Sequence, residues 1–264
     1  MLPLELRGGV LAYFAFLALV LGAALGSFLN CAAWRIARGK SFVRGRSACP
    51  ACGHTLGPLE LVPVLSWLAQ RGRCRCCGSK ISPRYPLTEL ACALITLACL
   101  LRFGLSILCL RNLVFLCCLF CLSLVDWEIS EIPDGCLLAA AAAWALCAPF
   151  VLSSWKEALR YLAAGLVFGG ALLVCGLAMD RILKKDSLGG GDIKLFAVVG
   201  LYLGFGGGLF AVILSCLLGL LLAAVLRRRP GEPFPFGPAI AAGAGIMLLW
   251  GQGLVSWYLG SLSF

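Results

Sequence analysis

The sequence predicts an all-α polytopic membrane protein with about eight transmembrane helices. Three observations lead there. Of 264 residues, 61% are hydrophobic and only 13% are charged, whereas a soluble domain carries about 25% charged residues. Apolar runs recur along the chain at about 20 residues, the length that crosses ~30 Å of hydrocarbon as helix. The ten-residue alternating segments of an outer-membrane barrel are absent from the sequence. With a mean hydropathy of +0.98, the chain is neither a soluble globular protein nor a disordered one.

The apolar periodicity places spans at 10–33, 87–103, 108–125, 135–153, 158–178, 193–205, 207–226 and 237–259. The sixth is short, and Gly204, Gly206, Gly207 and Gly208 predict a tight turn into the seventh. Residues 34–86 form the one sizeable polar stretch. The chain therefore divides into a first helix (1–33), a basic cytoplasmic segment (34–86) and a seven-helix membrane domain (87–264). The first span exceeds a signal-peptide core and has one basic residue before it, Arg7, so it reads as an anchor.

Orientation follows from Lys and Arg in the loops. Segment 34–86 holds ten, 126–134 none, 180–194 four and 227–236 three. The opposite side has five: Arg7, Arg102, Arg111, Lys156 and Arg160. The rich side is expected in the cytoplasm and both termini outside. The net charge of +10 then reflects topology, and no nucleic-acid partner is expected.

Eleven of the sixteen cysteines lie in apolar runs, where Cys behaves as a small hydrophobe. The other five crowd the polar segment as Cys49-Pro-Ala-Cys52-Gly53 and Cys74-Arg-Cys-Cys77-Gly78. Two Cys-x-x-Cys pairs at this separation match a four-thiolate structural zinc site. Each pair ends in Gly, which permits the tight turn that wraps two thiolates around one ion. A reducing cytoplasm disfavours disulfides, and so short a segment lacks a large core, which gives a metal staple a purpose. Cys49, Cys52, Cys74 and Cys77 are the expected ligands; Cys76 is a bystander and His54 a surface side chain.

Twelve carboxylates are few enough for their positions to be informative. Asp126 ends the third span, and Asp192 opens the sixth after Gly189-Gly190-Gly191. Both are expected at the cytoplasmic boundary of the hydrocarbon, where ionisable groups are costly and usually functional. Two such aspartates can share a proton, one acting as general acid and one as general base on water and a peptide carbonyl. Each also has an ordinary reading: Asp192 as a helix cap, Asp126 as an interfacial residue beyond a helix end. Asp134 suits the cap of the fourth span.

Gly189-Gly190-Gly191-Asp192, with Ile193-Lys194-Leu195 behind it, resembles the GxGD signature of the type IV prepilin peptidases. The resemblance extends in order through Gly26-Ser27-Phe28-Leu29-Asn30, the two cysteine pairs, Pro63-Val64-Leu65-Ser66-Trp67 and Arg84-Tyr85-Pro86-Leu87-Thr88-Glu89-Leu90. Asp126 with Ile132-Pro133-Asp134, and Phe236-Gly237-Pro238, complete the series. It implies an eight-span enzyme of the bacterial inner membrane, with Asp126 and Asp192 as the catalytic pair, Gly189, Gly191 and Lys194 as supporting motif and the four cysteines as a cytoplasmic metal domain. The implied activity removes the short basic leader from type IV prepilins or pseudopilins after a Gly, then N-methylates the new terminus with S-adenosylmethionine. Residues binding that donor are not identifiable in the sequence. Glu128, Glu131 and Asp134 form a candidate acidic strip for the basic leader. Competing readings are a GxGD protease without methyl transfer and a non-enzymatic zinc-knuckle assembly factor; a transporter is weaker, because no span centre holds paired acids.

Overall fold

A computed structural model describes residues 8–41, 45–184, 188–227 and 234–262. Arg7, Arg44, Lys185, Arg228 and Arg229, all used in the loop count, lie outside the described residues. Eight α-helices and no strands occur among the described residues: α1 (Gly8–Ile36), α2 (Leu65–Ala69), α3 (Arg84–Phe103), α4 (Ile107–Ile129), α5 (Asp134–Val151), α6 (Trp155–Leu183), α7 (Gly190–Val225) and α8 (Gly237–Leu262). Six of them, α1 and α3–α7, are long and apolar enough to cross a membrane, and α8 contributes a shorter apolar stretch, Gly237–Gly251. The chain forms two compact units, Met1–Cys109 and Leu110–Phe264.

In the first unit α1 packs closely on α3. A Cβ on Gly22 would lie 2.6 Å from Ala93 Cα, and one on Gly26 2.8 Å from Glu89 Cα. These are glycines four residues apart facing two positions four residues apart, the small-residue packing by which apolar helices associate. Asn30 donates to Thr88 Oγ1 one turn further along. Glu89 is buried, and its Oε2 accepts from the Val64 amide at 2.7 Å. That bond ties the polar segment to α3 at a residue with φ 61°, a strained conformation for a β-branched side chain.

In the second unit α7 is not one rod. A straight helix would set Phe196 and Gly219 roughly 34 Å apart. Instead, Phe196 lies 6.5 Å, centroid to centroid, from Phe236, and a Cβ on Gly219 would meet the same ring at 2.6 Å. The reversal falls at Gly204, whose φ 65° and ψ −168° break the helix. Along α6, Gly169 faces Ala197, Gly165 faces Leu201 and Tyr161 faces Gly204; four residues later Gly208 is back beside Phe168. The expected turn between the sixth and seventh segments is thus present, but Gly204 makes it alone, and Phe205–Gly208 are already helical.

The interior of the second unit holds a buried cation. Arg111, counted above as a loop charge, is a buried residue of α4. Its Nε donates to Asn112 Oδ1 at 3.3 Å and its guanidinium lies 5.3 Å from the Tyr202 ring. Tyr202 stacks on Phe115 at 3.9 Å and donates to the Ala140 carbonyl at 2.8 Å, linking α4, α5 and α7. Arg102 likewise belongs to the last turn of α3. Both cations are therefore helix residues, as are Arg35, Arg84, Arg181 and Lys194 of the basic side.

Candidate functional site

Asp126 lies inside the last turns of α4, which runs on to Ile129. It does not follow a helix end as an interfacial residue would; its side chain is 4% exposed. Its Oδ2 accepts from the Gly237 amide at 2.8 Å, one of the N–H groups that the first turn of α8 leaves without a helical partner. A Cβ at 237 would sit 2.8 Å from that oxygen, so only glycine lets the amide come so near. Phe236-Gly237-Pro238 places Pro in the opening turn, where its missing N–H costs nothing.

Asp192 stands in the first turn of α7, half-buried. The N-cap is Gly189, without a side-chain cap, so Asp192 is not the capping residue. Its charge suits the positive end of the helix dipole. The three preceding glycines are not equivalent. A Cβ on Gly191 would lie 2.9 Å from Ile132 Cβ, one on Gly189 3.1 Å from Asp192 Oδ2, and one on Gly190 would meet nothing within 4 Å. The chain around Ile132 and the Asp192 carboxylate each claim the space of one missing side chain. Asp126 and Asp192 lie within electrostatic reach of one another, and the Phe196–Phe236 contact joins the helix of one to the residue next to Gly237.

Lys194 points elsewhere. Its Nζ donates to both oxygens of Asp134, at 2.8 and 3.0 Å, pinning α7 to the start of α5. Asp134 is the first residue of α5 and Pro133 is its N-cap, so Asp134 is not the cap. Of the three acids in the expected strip, Asp134 is therefore engaged by a lysine, while Glu131 is exposed.

The polar segment builds one small motif twice. In the first copy Cys49 N donates to the His54 carbonyl and Gly53 N to the Cys49 carbonyl; in the second, Cys74 N donates to the Ser79 carbonyl and Gly78 N to the Cys74 carbonyl, each at 2.9 Å. Gly53 and Gly78 have φ 73° and 69°, with nothing within 4 Å of a Cβ. They are needed for backbone conformation, not for space. Single bridges, Ala48–Thr55 and Arg73–Lys80, close the two turns. Trp67, on the short α2, donates from its indole to the Ile81 carbonyl at 3.1 Å and covers Gly72.

The turns bring Cys49, Cys52, Cys74 and Cys77 together with all four sulfurs within 4.8 Å of one another. Cys49 and Cys77 sulfurs are 3.9 Å apart, close to the ~3.8 Å edge of a tetrahedron with ~2.3 Å Zn–S bonds. The backbone amides of Cys52 and Ala51, with the Ser79 hydroxyl, pull the Cys49 thiol down to about 6. Ser79 lowers Cys77 through its hydroxyl and its amide. Cys52 is drawn down by the His54 amide but pushed up, on balance to about 12, by burial and by the sulfurs of Cys77, Cys49 and Cys74. Crowded thiolates of this kind are what a divalent cation neutralises. The donor set fits zinc. Cys76 lies outside the cluster, and His54 is turned to Glu60, Nε2 to Oε2 at 3.3 Å.

Fold and site together define a polytopic helical membrane protein that joins a four-cysteine unit able to hold a metal to a helix bundle carrying two aspartates. The comparisons name its family. Residues 20–103 match the Bacterial Peptidase A24 N-terminal domain and residues 113–224 the Type IV leader peptidase family. The chain is 40% identical over 247 residues to the prepilin leader peptidase/N-methyltransferase of Bacillus subtilis (strain 168), covering 91% of this chain and 96% of that protein. It is 31% identical to the protein of the same name from Stutzerimonas stutzeri, over 98% of both, and 37% identical to the one from Myxococcus xanthus (strain DK1622), over 84% of this chain and 66% of the relative. No solved structure matches the chain. The chain belongs to the type IV leader peptidase family and is a membrane peptidase.

Sequence reasoning had no role for Gly237 as partner of Asp126, or for Ile132 against Gly191. The Gly-Pro start of α8 was visible as a helix signal, but nothing in the sequence points across 111 positions to the residue it serves.

Proposed function

We propose that this peptidase removes the basic leader of type IV prepilins or pseudopilins after a Gly, at the cytoplasmic face of a bacterial inner membrane, and then N-methylates the new terminus. The observation that carries the reading is a buried Asp126, held by the Gly237 amide, within electrostatic reach of Asp192. The pair works on one water. One carboxylate takes a proton as the oxygen attacks the peptide carbonyl; the other donates to the carbonyl oxygen, and the amine leaves with a proton as the C–N bond breaks. Two carboxylates within electrostatic reach of one another do not both stay ionised at low cost, so the two carboxyl groups share one proton. The excess of Lys and Arg in the loops at this end supports a cytoplasmic position for it. The exposed Glu131 serves as a contact for a basic leader, because Asp134 is engaged by Lys194.

Cys49, Cys52, Cys74 and Cys77 hold a structural zinc that fixes the polar segment. S-adenosylmethionine supplies an electrophilic methyl group for the amine that cleavage frees. The names of the relatives, which join peptidase to N-methyltransferase, support this second activity.

The test is Asp126→Asn and Asp192→Asn, each compared with wild type at equal membrane abundance, with leader loss read by mass spectrometry. An amide keeps the shape but cannot shuttle the proton, so each variant should lose at least ~10²-fold in cleavage. Substantial cleavage by either would remove that residue from the mechanism.

A further inference from the structure

Beside the four-cysteine cluster, within the first unit, an open cleft of about 460 Å³ is lined by His54, Pro58, Leu59, Glu60, Arg75 and Cys76, with Gly57 at its edge. That volume falls in the range of small-molecule sites, ~300–1,000 Å³. One feature of its wall has no structural explanation. The Glu60 side chain is only 8% exposed. Its Oε2 accepts from the Gly57 amide at 2.9 Å and from His54 Nε2 at 3.3 Å, while Oε1 is buried with no hydrogen-bond partner. The Gly57 amide holds this carboxyl below the usual range, so it is an anion at neutral pH. A buried carboxylate oxygen without a donor is costly, and such atoms mark strain or an absent ligand.

The rest of the cleft describes what that ligand carries. Pro58 and Leu59 offer apolar surface, Leu59 being 73% exposed. Arg75 brings a cation that complements a carboxylate. A molecule with hydrogen-bond donors and a positive centre for Glu60, a flat apolar body and an anionic end satisfies all three.

We infer that this cleft is the S-adenosylmethionine site, with Glu60 as acceptor for the donor groups of the ligand and Arg75 as partner of its carboxylate. The inference rests on the methyl-transfer reading above. It gives the cysteine unit a task besides scaffolding: the second cysteine turn carries Arg75 and Cys76, which line the cleft with residues 54–60.

The experiment uses the full-length protein in detergent, titrated calorimetrically with S-adenosylhomocysteine, the unreactive product. Zinc content verifies that each variant is folded. In parallel, alkylation of Cys76, an exposed thiol outside the metal cluster, is followed by peptide mass mapping with and without the ligand. Wild type should bind, and bound ligand should slow Cys76 alkylation. Glu60→Gln keeps an acceptor for Gly57 and should weaken binding about tenfold or more, the loss of one charged hydrogen bond; Arg75→Ala should weaken it also. If wild type binds but both variants bind equally well and Cys76 stays unprotected, the cleft is not the site, while the methyl-transfer reading stands. If wild type binds neither S-adenosylhomocysteine nor S-adenosylmethionine, the methyl-transfer reading falls and takes the site with it. Should Glu60→Gln lose its zinc, Arg75→Ala and Cys76 protection in the wild type decide.

Discussion

Three consecutive glycines precede Asp192, yet only two of them are needed for space. Gly191 makes room for Ile132 and Gly189 for the Asp192 carboxylate, whereas Gly190 faces open space in the first turn of α7. That asymmetry is a physical account of a motif in which the second position is free. Gly190→Ala should leave cleavage unchanged and raise stability by about 0.5–1 kcal/mol through the stiffer unfolded chain and better helix propensity. Gly191→Ala must push the chain at Ile132 or α7 by some tenths of an ångström, and displacement of a reacting group can cost ~10²-fold in rate. Leader cleavage and thermal unfolding of the two variants, measured together, check the contrast. Gly237→Ala belongs with Gly191→Ala, because its Cβ would occupy the approach of the amide to Asp126.

Elements meet here through missing side chains and clustered cysteines. Gly22 and Gly26 let α1 reach the backbone of α3; replacing Gly26 by Leu should separate the two helices and expose Cys92, read as faster alkylation of that buried thiol. Gly204 folds α7 back on itself with φ 65° and ψ −168°, a region essentially closed to other residues, so Gly204→Ala should cost about 1–3 kcal/mol. Detergent-resistant thermal unfolding reads that loss. The cysteine turns respond to acid in a defined direction. Thiolates bind zinc and thiols do not, so falling pH should release the metal and rising pH should restore it. A chromophoric chelator follows the release, and about one zinc per chain is expected in reduced protein near neutrality. Zinc that no acid treatment releases, or none at neutrality, would contradict the four-thiolate site.

At the scale of the whole molecule, the aspartates lie in one compact unit and the cysteines in the other, which predicts separable activities. Cys74→Ser/Cys77→Ser should lose N-methylation more completely than cleavage, and Asp192→Asn should still methylate a pilin supplied without its leader. Mass spectrometry of the pilin N-terminus on the same preparations reads both; a cysteine variant that methylates normally would detach methyl transfer from the zinc segment. The sequence by itself determined the helical membrane class, because hydrocarbon demands runs of apolar residues that composition reveals directly. It also determined the four cysteine positions, since a tight turn around an ion is a local pattern of fixed spacing. The ends of the helices were less legible: Asp126 had to be seen inside α4, and Asp134 and Asp192 beyond their caps, because capping is settled by backbone conformation. Only the tertiary structure decided that Gly237 serves Asp126, that Lys194 is committed to Asp134, and that Glu60 keeps an oxygen without a partner. The reason is physical. Helix formation and metal turns depend on neighbours a few residues away, whereas a hydrogen bond between residues 111 positions apart exists only once packing has brought two helices to contact distance.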